Sequence, residues 1–593
     1  MTKPEWLWLL FSLAIMAAVL LGPRAERIGR SLAAKPVWCG VVIAALPVLL
    51  RLALLHHHPE PTPAGADDFS YLLLSDTLTH FRLANPPHPM HRFFEANFIL
   101  QEPHYSSIYP LGQGVFLAAG QILTGHPWIG VLLSEAALCG LCYWMLLGWT
   151  SPLWALAGGL LAACEFGPLN QWMNSYWGGA VGGIAGCLVF GALPRLLSGG
   201  IGAALLMGAG LGLSCLTRPF ETVLVAFSVV LYFLMAVRGL EARRLGQMAA
   251  LVLTAAAPFA GLSLLHNWAV TGQWTKLPYS VSREQYGVPA AFTFQANPVP
   301  SRTLTPEQQL NYKAQSIVHG EGRETLARYA SRLPERIARC GFFFYPPLYL
   351  ALLAFPASLR ERRFRWLLAT AAAFILGTNL YPYFYPHYIA SLTCVFVLMS
   401  LIGLRQIGRL RLGERRVWQG AVRLILLLCA AWFLFWYGIY LVGDERVLTA
   451  ITRYDTGDFI NWGDAEGRVS INRQLAQMPG EQLVFVHYSP RHGFHEWIHN
   501  PADIDQAKVV RALDLGDEEN RQLTSYYPHR TAWLLEPDDW PPRLTRYRPQ
   551  ETEPILPEPL SHAAPPARRV PTPATERNDF NTLPESGFLK RQR

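Results

Sequence analysis

Hydrophobic and polar positions separate into long blocks along the first 442 residues of the chain. The apolar blocks are about 17–25 residues long, which is the length that crosses a bilayer as a helix. They predict about twelve transmembrane helices, at 6–21, 37–55, 127–149, 151–168, 176–197, 199–217, 219–238, 246–269, 339–357, 366–380, 387–404 and 420–442. Composition agrees, since hydrophobic residues make up 51% of the chain and charged residues only 16%. The pattern excludes a soluble enzyme and predicts a mainly α, polytopic membrane protein.

Basic residues cluster in four connections between these blocks: Arg24–Lys35, Arg238–Arg244, Arg360–Arg365 and Arg405–Arg416. Short connections rich in Arg and Lys stay in the cytoplasm. The segments 56–126 and 270–338 and the chain from 443 onward are therefore expected outside. The apolar run 108–125 would break this parity as a span, so it is predicted to be an interfacial or re-entrant helix of the first outer loop. The net charge of +8 follows from these connections, and no nucleic-acid partner is predicted.

The chain divides into four parts by its pattern. Residues 1–36 predict an extra helix with a basic loop, and 37–442 form the membrane module. Strand-length apolar runs at 482–488, 508–513 and 531–535, with helical stretches at 470–478 and 518–526, predict a small α/β domain over 443–540. The proline-rich end, 541–593, is expected to be disordered. All nine cysteines lie in or beside apolar blocks, which predicts no disulfide framework.

Two adjacent carboxylates, Asp67 and Asp68, follow the second predicted span. Acidic groups beside a bilayer carry a desolvation cost and need a reason to be there. One interpretation is a general base whose neighbour orients it or holds a cation. The other is a cap for a helix that starts at Phe69, because Asp is a favoured N-cap residue. No cofactor is specified by the sequence, and a divalent cation at the acidic pair stays open.

Further polar and aromatic residues stand at the outer ends of the predicted spans. The candidate substrate-binding residues among them are His104, Tyr109, Asn174, Tyr176, Glu221, His387 and Tyr388. Arg218 lies at an outward junction, where positive charge is unexpected. It either snorkels and pairs with Glu221 or holds a lipid phosphate with its planar guanidinium.

Arginines spaced three to four residues apart follow in the outer loop over 323–339, and they include Arg336 and Arg339. That spacing places them on one stripe of an interfacial helix. Contact with membrane lipid headgroups explains such a stripe, and recognition of a phosphorylated lipid is the sharper hypothesis.

Four stretches carry a family resemblance: DDFSYLL at 67–73, YPLGQG at 109–114, WMNSYWGGA at 172–180 and EWIHNPADID at 496–505. With the outer acidic pair, the multi-span body and the outer C-terminal domain, they resemble the C-type fold of integral-membrane glycosyltransferases. That family includes protein O-mannosyltransferases and the aminoarabinose and galacturonic acid transferases of lipopolysaccharide. The similarity covers roughly residues 37–540 and is greatest to an uncharacterised bacterial branch.

The resemblance implies transfer of a monosaccharide from a polyprenyl-phosphate carrier to a glycan, lipid or protein acceptor, at the outer face of the bacterial inner membrane. Asp67 and Asp68 match the acidic pair, with Asp67 as the expected base. Related sequences often have Lys before the Tyr-Pro pair, where this chain has Ile108. The phosphate contact would then fall to Arg218 or to the arginines of 323–339.

Two other classes of function remain open. A transporter or flippase of a lipid-linked saccharide would place charges within the spans, and Glu135 and Glu165 lie in two of them. A scaffold for envelope assembly would tolerate a degenerate site, as Ile108 allows. A nucleotide-sugar synthase is disfavoured, since the acidic pair is expected outside.

Overall fold

The computed structural model describes residues 3–198, 200–236, 241–320, 322–410, 418–443, 467–490, 492 and 495–548. Of the proline-rich end, 541–593, which is expected to be disordered, residues 541–548 are described and include a strand at Arg543–Arg546. The rest, from 549 onward, lies outside the described residues, as do Arg238, Arg411, Arg415 and Arg416 of the basic clusters. The part that is described is built mainly from helices, with one small sheet near its end.

Within the described residues up to 443, the membrane module and its predicted outer loops contain seventeen α-helices. They are α1 (Lys3–Ala33), α2 (Pro36–Ala53), α3 (Ala66–Thr79), α4 (Leu111–Thr124), α5 (Trp128–Trp149), α6 (Pro152–Glu165), α7 (Ala180–Leu197), α8 (Ile201–Thr217), α9 (Pro219–Ala236), α10 (Ala242–Thr271), α11 (Pro278–Tyr286), α12 (Pro306–His319), α13 (Leu326–Arg339), α14 (Tyr349–Ala354), α15 (Arg362–Thr378), α16 (Thr393–Arg409) and α17 (Trp418–Val442).

Six helical segments among the described residues are long and apolar enough to cross a membrane, or seven if one bent pair counts as a span. They are α2, α5, α7, α10, α16 with the turn that precedes it, and α17. Four shorter apolar helices, α4, α6, α8 and α9, accompany them. A multi-span helical body is therefore present, although several predicted spans form helices shorter than a full bilayer crossing.

The predicted span 339–357 is broken in the structure. α13 runs into a 3-10 turn at Cys340–Phe343, and the segment Pro346–Arg360 continues at an angle of 113°. Pro346, Pro347 and Pro356 lie in this stretch, and a proline inside a helix removes a backbone hydrogen bond and clashes with the preceding turn. The apolar composition predicts one continuous helix here, whereas the structure has two helical segments separated by a bend.

The acidic pair lies inside a helix. α3 begins at Ala66 after the extended N-cap residue Gly65, so both aspartates occupy its first turn. Carboxylates are favourable there, since the N-terminal end of a helix carries partial positive charge. The cap position expected for a helix starting at Phe69 is thus shifted by three residues.

The C-terminal domain is a small α/β unit with helices α18 (Arg468–Gln477) and α19 (Asp517–Tyr526). Its sheet has four strands: β3 (Gln482–Val486), β4 (Val509–Leu513), β5 (Thr531–Glu536) and β6 (Arg543–Arg546), in the order β4-β3-β5-β6. β3 pairs in parallel with β4 and β5, and β6 pairs antiparallel with β5. The first three strands coincide with the predicted runs, whereas β6, which reads Arg-Leu-Thr-Arg, has too little apolar character to predict.

The first outer loop adds a two-stranded ribbon, β1 (Ile99–Leu100) with β2 (Ser106–Ser107). Ile99 of this ribbon and the loop residues Phe94 and Tyr105 belong to the same hydrophobic cluster as Phe485 and Trp497 of the C-terminal domain. Burial of such side chains contributes roughly 1.5–3 kcal/mol each. The C-terminal domain therefore packs on the first outer loop through a shared apolar core.

α4 and α5 cross at glycines. A Cβ on Gly130 would overlap the carbonyl of Phe116, and a Cβ on Gly120 would overlap the backbone of Gly130. Glycine is usually unfavourable within a helix by about 0.5–1 kcal/mol relative to alanine. At this crossing it is required instead, because no side chain fits between the two backbones.

Gly130→Ala is predicted to lower the melting temperature of the detergent-purified protein, because the added methyl group overpacks the crossing at a cost of about 1–3 kcal/mol. The matched control is Gly261→Ala in α10, where a Cβ meets nothing within 4 Å. There alanine should leave the melting temperature unchanged or raise it. Equal effects at both positions, measured by thermal scanning fluorimetry, would contradict the crossing.

Candidate active site

Asp68 is held by the backbone of two different loops. Its Oδ1 accepts a hydrogen bond of 2.9 Å from the Tyr176 N–H, and its Oδ2 accepts one of 3.4 Å from the Ala64 N–H. The side chain is buried, and burial raises its pKa to about 6. Asp68 therefore joins the start of α3 to the segment that precedes α7, and its oxygens are already engaged.

Asp67 has a different environment. It is half-buried, and among the described side chains only Tyr109 donates a hydrogen bond to it, through the phenol to Oδ1. The Tyr109 ring stacks on Tyr71, with ring centroids 4.4 Å apart. Tyr71 lies one turn after Asp67 in α3, so the two residues share a face of the helix. A single tyrosine thus orients the carboxyl group that remains open to a ligand.

Burial raises the pKa of Asp67, and the Tyr109 hydrogen bond and the positive charge of Arg218 lower it in part. A carboxylate with a raised pKa is a stronger base when it is ionised, which suits proton transfer near neutral pH. The acidic pair therefore combines one structural carboxylate, Asp68, with one that can act on a substrate.

Arg218 ends α8 and precedes Pro219, and its backbone is extended. Its guanidinium makes one side-chain hydrogen bond within the described part of the chain, of 3.3 Å from Nη1 to Glu221 Oε1. It also lies over the Tyr388 ring at 4.3 Å. Because a guanidinium carries five N–H donors, most of these donors remain for a ligand.

A small cavity lies beside Arg218 and reaches Tyr71, the ring on which Tyr109 stacks, while Asp67 itself is not part of its lining. Its lining comprises Tyr71, Gln113, Trp177, Gly178, Gly179, Val181, Gly182, Thr217, Arg218 and His387. The space of about 20 Å³ suffices for about one water molecule, so a larger substrate requires its walls to part. Among the described lining residues, Arg218 is the only permanently charged one.

Of the predicted residues, His387 lines this cavity, and Tyr388 packs edge-on to it with ring centroids 4.8 Å apart. His387 packs edge-on to Trp177 at 4.9 Å and stacks with Tyr385 at 5.6 Å. Glu221 is buried behind Arg218, with 3% of its surface exposed. These three predicted residues therefore lie together with Arg218 at one place.

The arginines of the 323–339 stripe have other partners. Arg336 is buried, and its Nη2 donates to the carbonyl oxygens of Tyr381 and Pro382 at 3.0 and 3.2 Å. Arg339 pairs with Glu335 at 2.9 Å on the surface of α13. Arg336 thus anchors the segment that leads to His387.

Three other predicted residues form hydrogen bonds with backbone or side-chain groups of the loops around the site. Asn174 accepts from Arg51 Nε at 2.8 Å and donates to two backbone carbonyls. The Tyr176 hydroxyl donates to the Pro61 carbonyl at 3.0 Å. His104 Nδ1 lies 3.1 Å from the carbonyl oxygen of Val270. The structure gives these side chains protein partners that hold the loops around the site.

Sequence reasoning missed Tyr71, Gln113, Trp177 and Tyr279. Tyr71 could have been found from its spacing of four residues after Asp67, and Trp177 lies within one of the family stretches. Tyr279 shares an electrostatic environment with Asp67 and Arg218, yet it comes from the distant helix α11 and left no signal in the sequence. Among the described residues, no group of three or more His, Cys, Asp or Glu side chains could hold a metal ion.

No family model and no curated protein matches the chain. Solved structures that align with this chain include ArnT from Cupriavidus metallidurans, at 14% identity and a TM-score of 0.46 over 84% of this chain and 92% of that chain. ArnT has also been solved bound to undecaprenyl phosphate. The oligosaccharyltransferase of Archaeoglobus fulgidus aligns at 11% identity and a TM-score of 0.40, over 85% and 69% of the two chains.

The arabinofuranosyltransferase AftD from Mycobacteria aligns at 12% identity and a TM-score of 0.37, over 83% of this chain and 35% of that chain. These proteins belong to the class of membrane glycosyltransferases that the sequence resembles. With every TM-score below 0.5, the alignments say nothing about what this chain binds. Its function has to be argued from its own residues.

Arg336→Ala is predicted to destabilise the protein by about 3 kcal/mol, because it leaves two buried carbonyls without a charged donor. The expected readout is a lower melting temperature in detergent. Arg339→Ala is the matched control, since a surface ion pair contributes about 0–1 kcal/mol. Equal losses of stability in the two variants would show that Arg336 does not anchor the 381–387 segment.

Proposed function

We propose that the protein is a membrane glycosyltransferase that moves a monosaccharide from a polyprenyl-phosphate carrier to an acceptor hydroxyl on the outer face of the membrane. The observation that carries this proposal is the arrangement of Asp67 and Arg218. Tyr109 donates to the half-buried carboxylate of Asp67 and stacks on Tyr71, and Tyr71 lines the same cavity as Arg218, whose guanidinium keeps most of its donors. Sugar transfer from a phosphate needs these two charges.

The chemistry assigned to the site is displacement at the anomeric carbon. Asp67 takes the proton of the acceptor hydroxyl while the bond between the sugar and the phosphate oxygen breaks. The transition state has oxocarbenium character, and Arg218 stabilises the negative charge that develops on the departing phosphate. Tyr109 keeps the base in place, and Tyr71 and Trp177, which line the cavity, supply aromatic ring faces for a sugar.

The charge of the site favours a monophosphate carrier. A lipid-phosphate sugar is a phosphodiester with one negative charge, whereas a lipid-diphosphate sugar carries two. Arg218 is the single permanent cation among the described residues that line the cavity, and Glu221 offsets part of its charge at 3.3 Å. One guanidinium of this kind matches one phosphodiester.

The basic connections support an outward-facing site. The basic residues Arg360–Arg365 and the described part of the 405–416 cluster lie at one end of their helices. The opposite ends of these helices lead towards loops that the order of spans predicts to be outside. The positive-inside rule then puts Asp67 and the C-terminal domain outside the inner membrane of a bacterium. The acceptor, whether a glycan, a lipid or a protein, would be met on that side.

A transporter of a lipid-linked saccharide is the second candidate function. Glu135 lies within α5, and both of its carboxyl oxygens are buried without a hydrogen-bond partner among the described residues. An ionisable group inside a span often marks a transport path. Movement of a fluorescent lipid-linked sugar across proteoliposomes, without covalent transfer and with loss in Glu135→Gln, would favour this candidate.

Asp67→Asn is predicted to reduce transfer by about 10²–10⁴-fold, because the amide cannot take a proton. The assay measures label transferred from a panel of polyprenyl-phosphate sugars in membranes that lack the native protein, with the matching diphosphate donors in parallel. Glu284→Gln, on the exposed side of α11, makes the same chemical change away from the cavity and should transfer normally.

Near-normal transfer by Asp67→Asn would remove the proposed base. Preference for the diphosphate donors would overturn the argument from Arg218. Absence of transfer with every donor would instead favour the transporter or a scaffold in envelope assembly.

The acid side of the pH–rate profile should move to higher pH in Arg218→Gln. Arg218 lowers the pKa of Asp67, so removing its charge raises that pKa, and the base becomes ionised only at higher pH. Arg218→Lys keeps the charge and should leave the acid limb near its wild-type position, although the rate recovers only in part because bidentate contact is lost. An unchanged limb in Arg218→Gln would show that Arg218 does not act on the base.

A further inference from the structure

The stretch from His495 to Asp505, which contains one of the family motifs, lies along the whole length of α3. It begins at a β-bridge between His495 and Gly65 and a hydrogen bond of 3.2 Å from the Glu496 N–H to the Ala64 carbonyl. Further contacts follow in order: His499 stacked on Phe69 at 4.2 Å, the Tyr105 hydroxyl to the Asn500 carbonyl at 3.0 Å, the Ala502 N–H to Asp76 at 2.7 Å and Arg82 to Asp503 at 2.7 Å. We call residues 495–505 the α3 strap.

Glu496 is the fully buried member of the strap. Its Oε1 accepts from the Tyr488 hydroxyl at 3.0 Å and the Ile498 N–H at 2.9 Å, both within the C-terminal domain. Its Oε2 reaches outside that domain and accepts from the Asn97 N–H at 3.0 Å. A charge-assisted hydrogen bond of this kind is about twice as strong as a neutral one. One carboxylate therefore fixes the backbone of the first outer loop from the C-terminal domain.

Phe98, the residue after Asn97, has a strained backbone. Phe98 adopts a positive φ of 62°, which is unfavourable for a bulky residue unless surrounding contacts impose it. Its carbonyl accepts from the Ser70 hydroxyl at 2.6 Å and from the Ile108 N–H at 3.3 Å. Its ring packs edge-on to Tyr109 at 6.1 Å. The strained residue thus lies between the Asn97 anchor and the tyrosine that holds Asp67.

We propose that Glu496 is a positioning residue for the base: it fixes Asn97, which holds Phe98 in its left-handed conformation, and the Phe98 ring keeps the Tyr109 hydroxyl on Asp67. This inference rests on the proposed function and extends it, because it makes the C-terminal domain part of the machinery that sets the geometry and pKa of Asp67. Glu496 does not touch substrate and acts through Tyr109.

A second carboxyl group, that of Glu307, also accepts a hydrogen bond from Asn97. Glu307 of α12 accepts from Asn97 Nδ2 at 3.1 Å. Burial raises the pKa of Glu307 well above its usual range, and the nearby Glu496 carboxylate adds to that shift. A neutral amide at position 496 therefore relieves repulsion. Its single oxygen is held by the two donors Tyr488 and Ile498, so its NH2 group faces the Asn97 N–H and that N–H loses its acceptor. For this reason Glu496→Gln tests whether Glu496 fixes the position of Asn97 without adding a new repulsion.

The test compares Glu496→Gln with Tyr109→Phe in the full-length protein, by kcat/KM against pH in the transfer assay. The Tyr109 hydrogen bond lowers the pKa of Asp67, so loosening it should move the acid limb to higher pH in both variants. We expect kcat/KM of Glu496→Gln to fall about tenfold, within the roughly 10²-fold cost of a 1 Å misplacement. The double variant should match Tyr109→Phe alone, because both changes act through one hydrogen bond.

Arg82→Ala is the control for docking alone, since it breaks a strap contact at the far end of α3. It should leave the acid limb at its wild-type pH. A wild-type rate and profile in Glu496→Gln, or losses that add in the double variant, would overturn the positioning role. If Glu496→Gln does not fold, Phe98→Asn removes the ring and suits a positive φ, and the proposal requires the same shift of the limb.

Failure of this proposal is distinguishable from failure of the proposed function. Transfer by the wild type with loss in Asp67→Asn supports the function whatever Glu496→Gln shows. Normal transfer by Asp67→Asn would remove the base itself, and with it the basis for a positioning residue.

Discussion

The hydrogen bond from the Tyr176 N–H to the buried carboxylate of Asp68 is the interaction on which the site depends. It ties the first turn of α3 to the segment before α7, and that segment is itself held by Arg51, whose guanidinium bonds Asn174 and the carbonyls of His58 and Pro59. A buried carboxylate is costly unless such partners are present. Because Asp68 makes the hydrogen bonds that join these segments, its neighbour Asp67 is not needed for them. Asp67 therefore keeps one oxygen that is open to a ligand.

The buried and half-buried arginines around the site differ in how many of their N–H donors are free to bind a ligand. Arg51 and Arg336 are buried and donate to backbone carbonyls, so they stabilise loops. Arg218 has one side-chain partner in the described structure and lies over an aromatic ring at the cavity. Guanidinium groups of the same formal charge thus divide into anchors and a candidate ligand-binding group, according to how many of their N–H donors are already used.

The first outer loop and the C-terminal domain form one packed unit above the membrane module. They share a hydrophobic cluster, and the strap adds hydrogen bonds and an ion pair along α3. α3 carries Asp67 in its first turn, so a domain distant in sequence packs against the helix that holds the proposed base. The sequence separation between Asn97 and Glu496 makes this coupling invisible in any local pattern.

Hydrophobic periodicity, basic connections and short strand-length runs determine much of this protein, because each is a local property of consecutive residues. They predict a mainly helical body with several apolar helices and three strands of the C-terminal domain. The broken segment after Arg339, the separate roles of Asp67 and Asp68, and the contribution of Tyr279 depend on contacts between distant parts of the chain. Only the tertiary structure decides these, since the partners of a buried polar group are chosen by packing and not by neighbours in sequence.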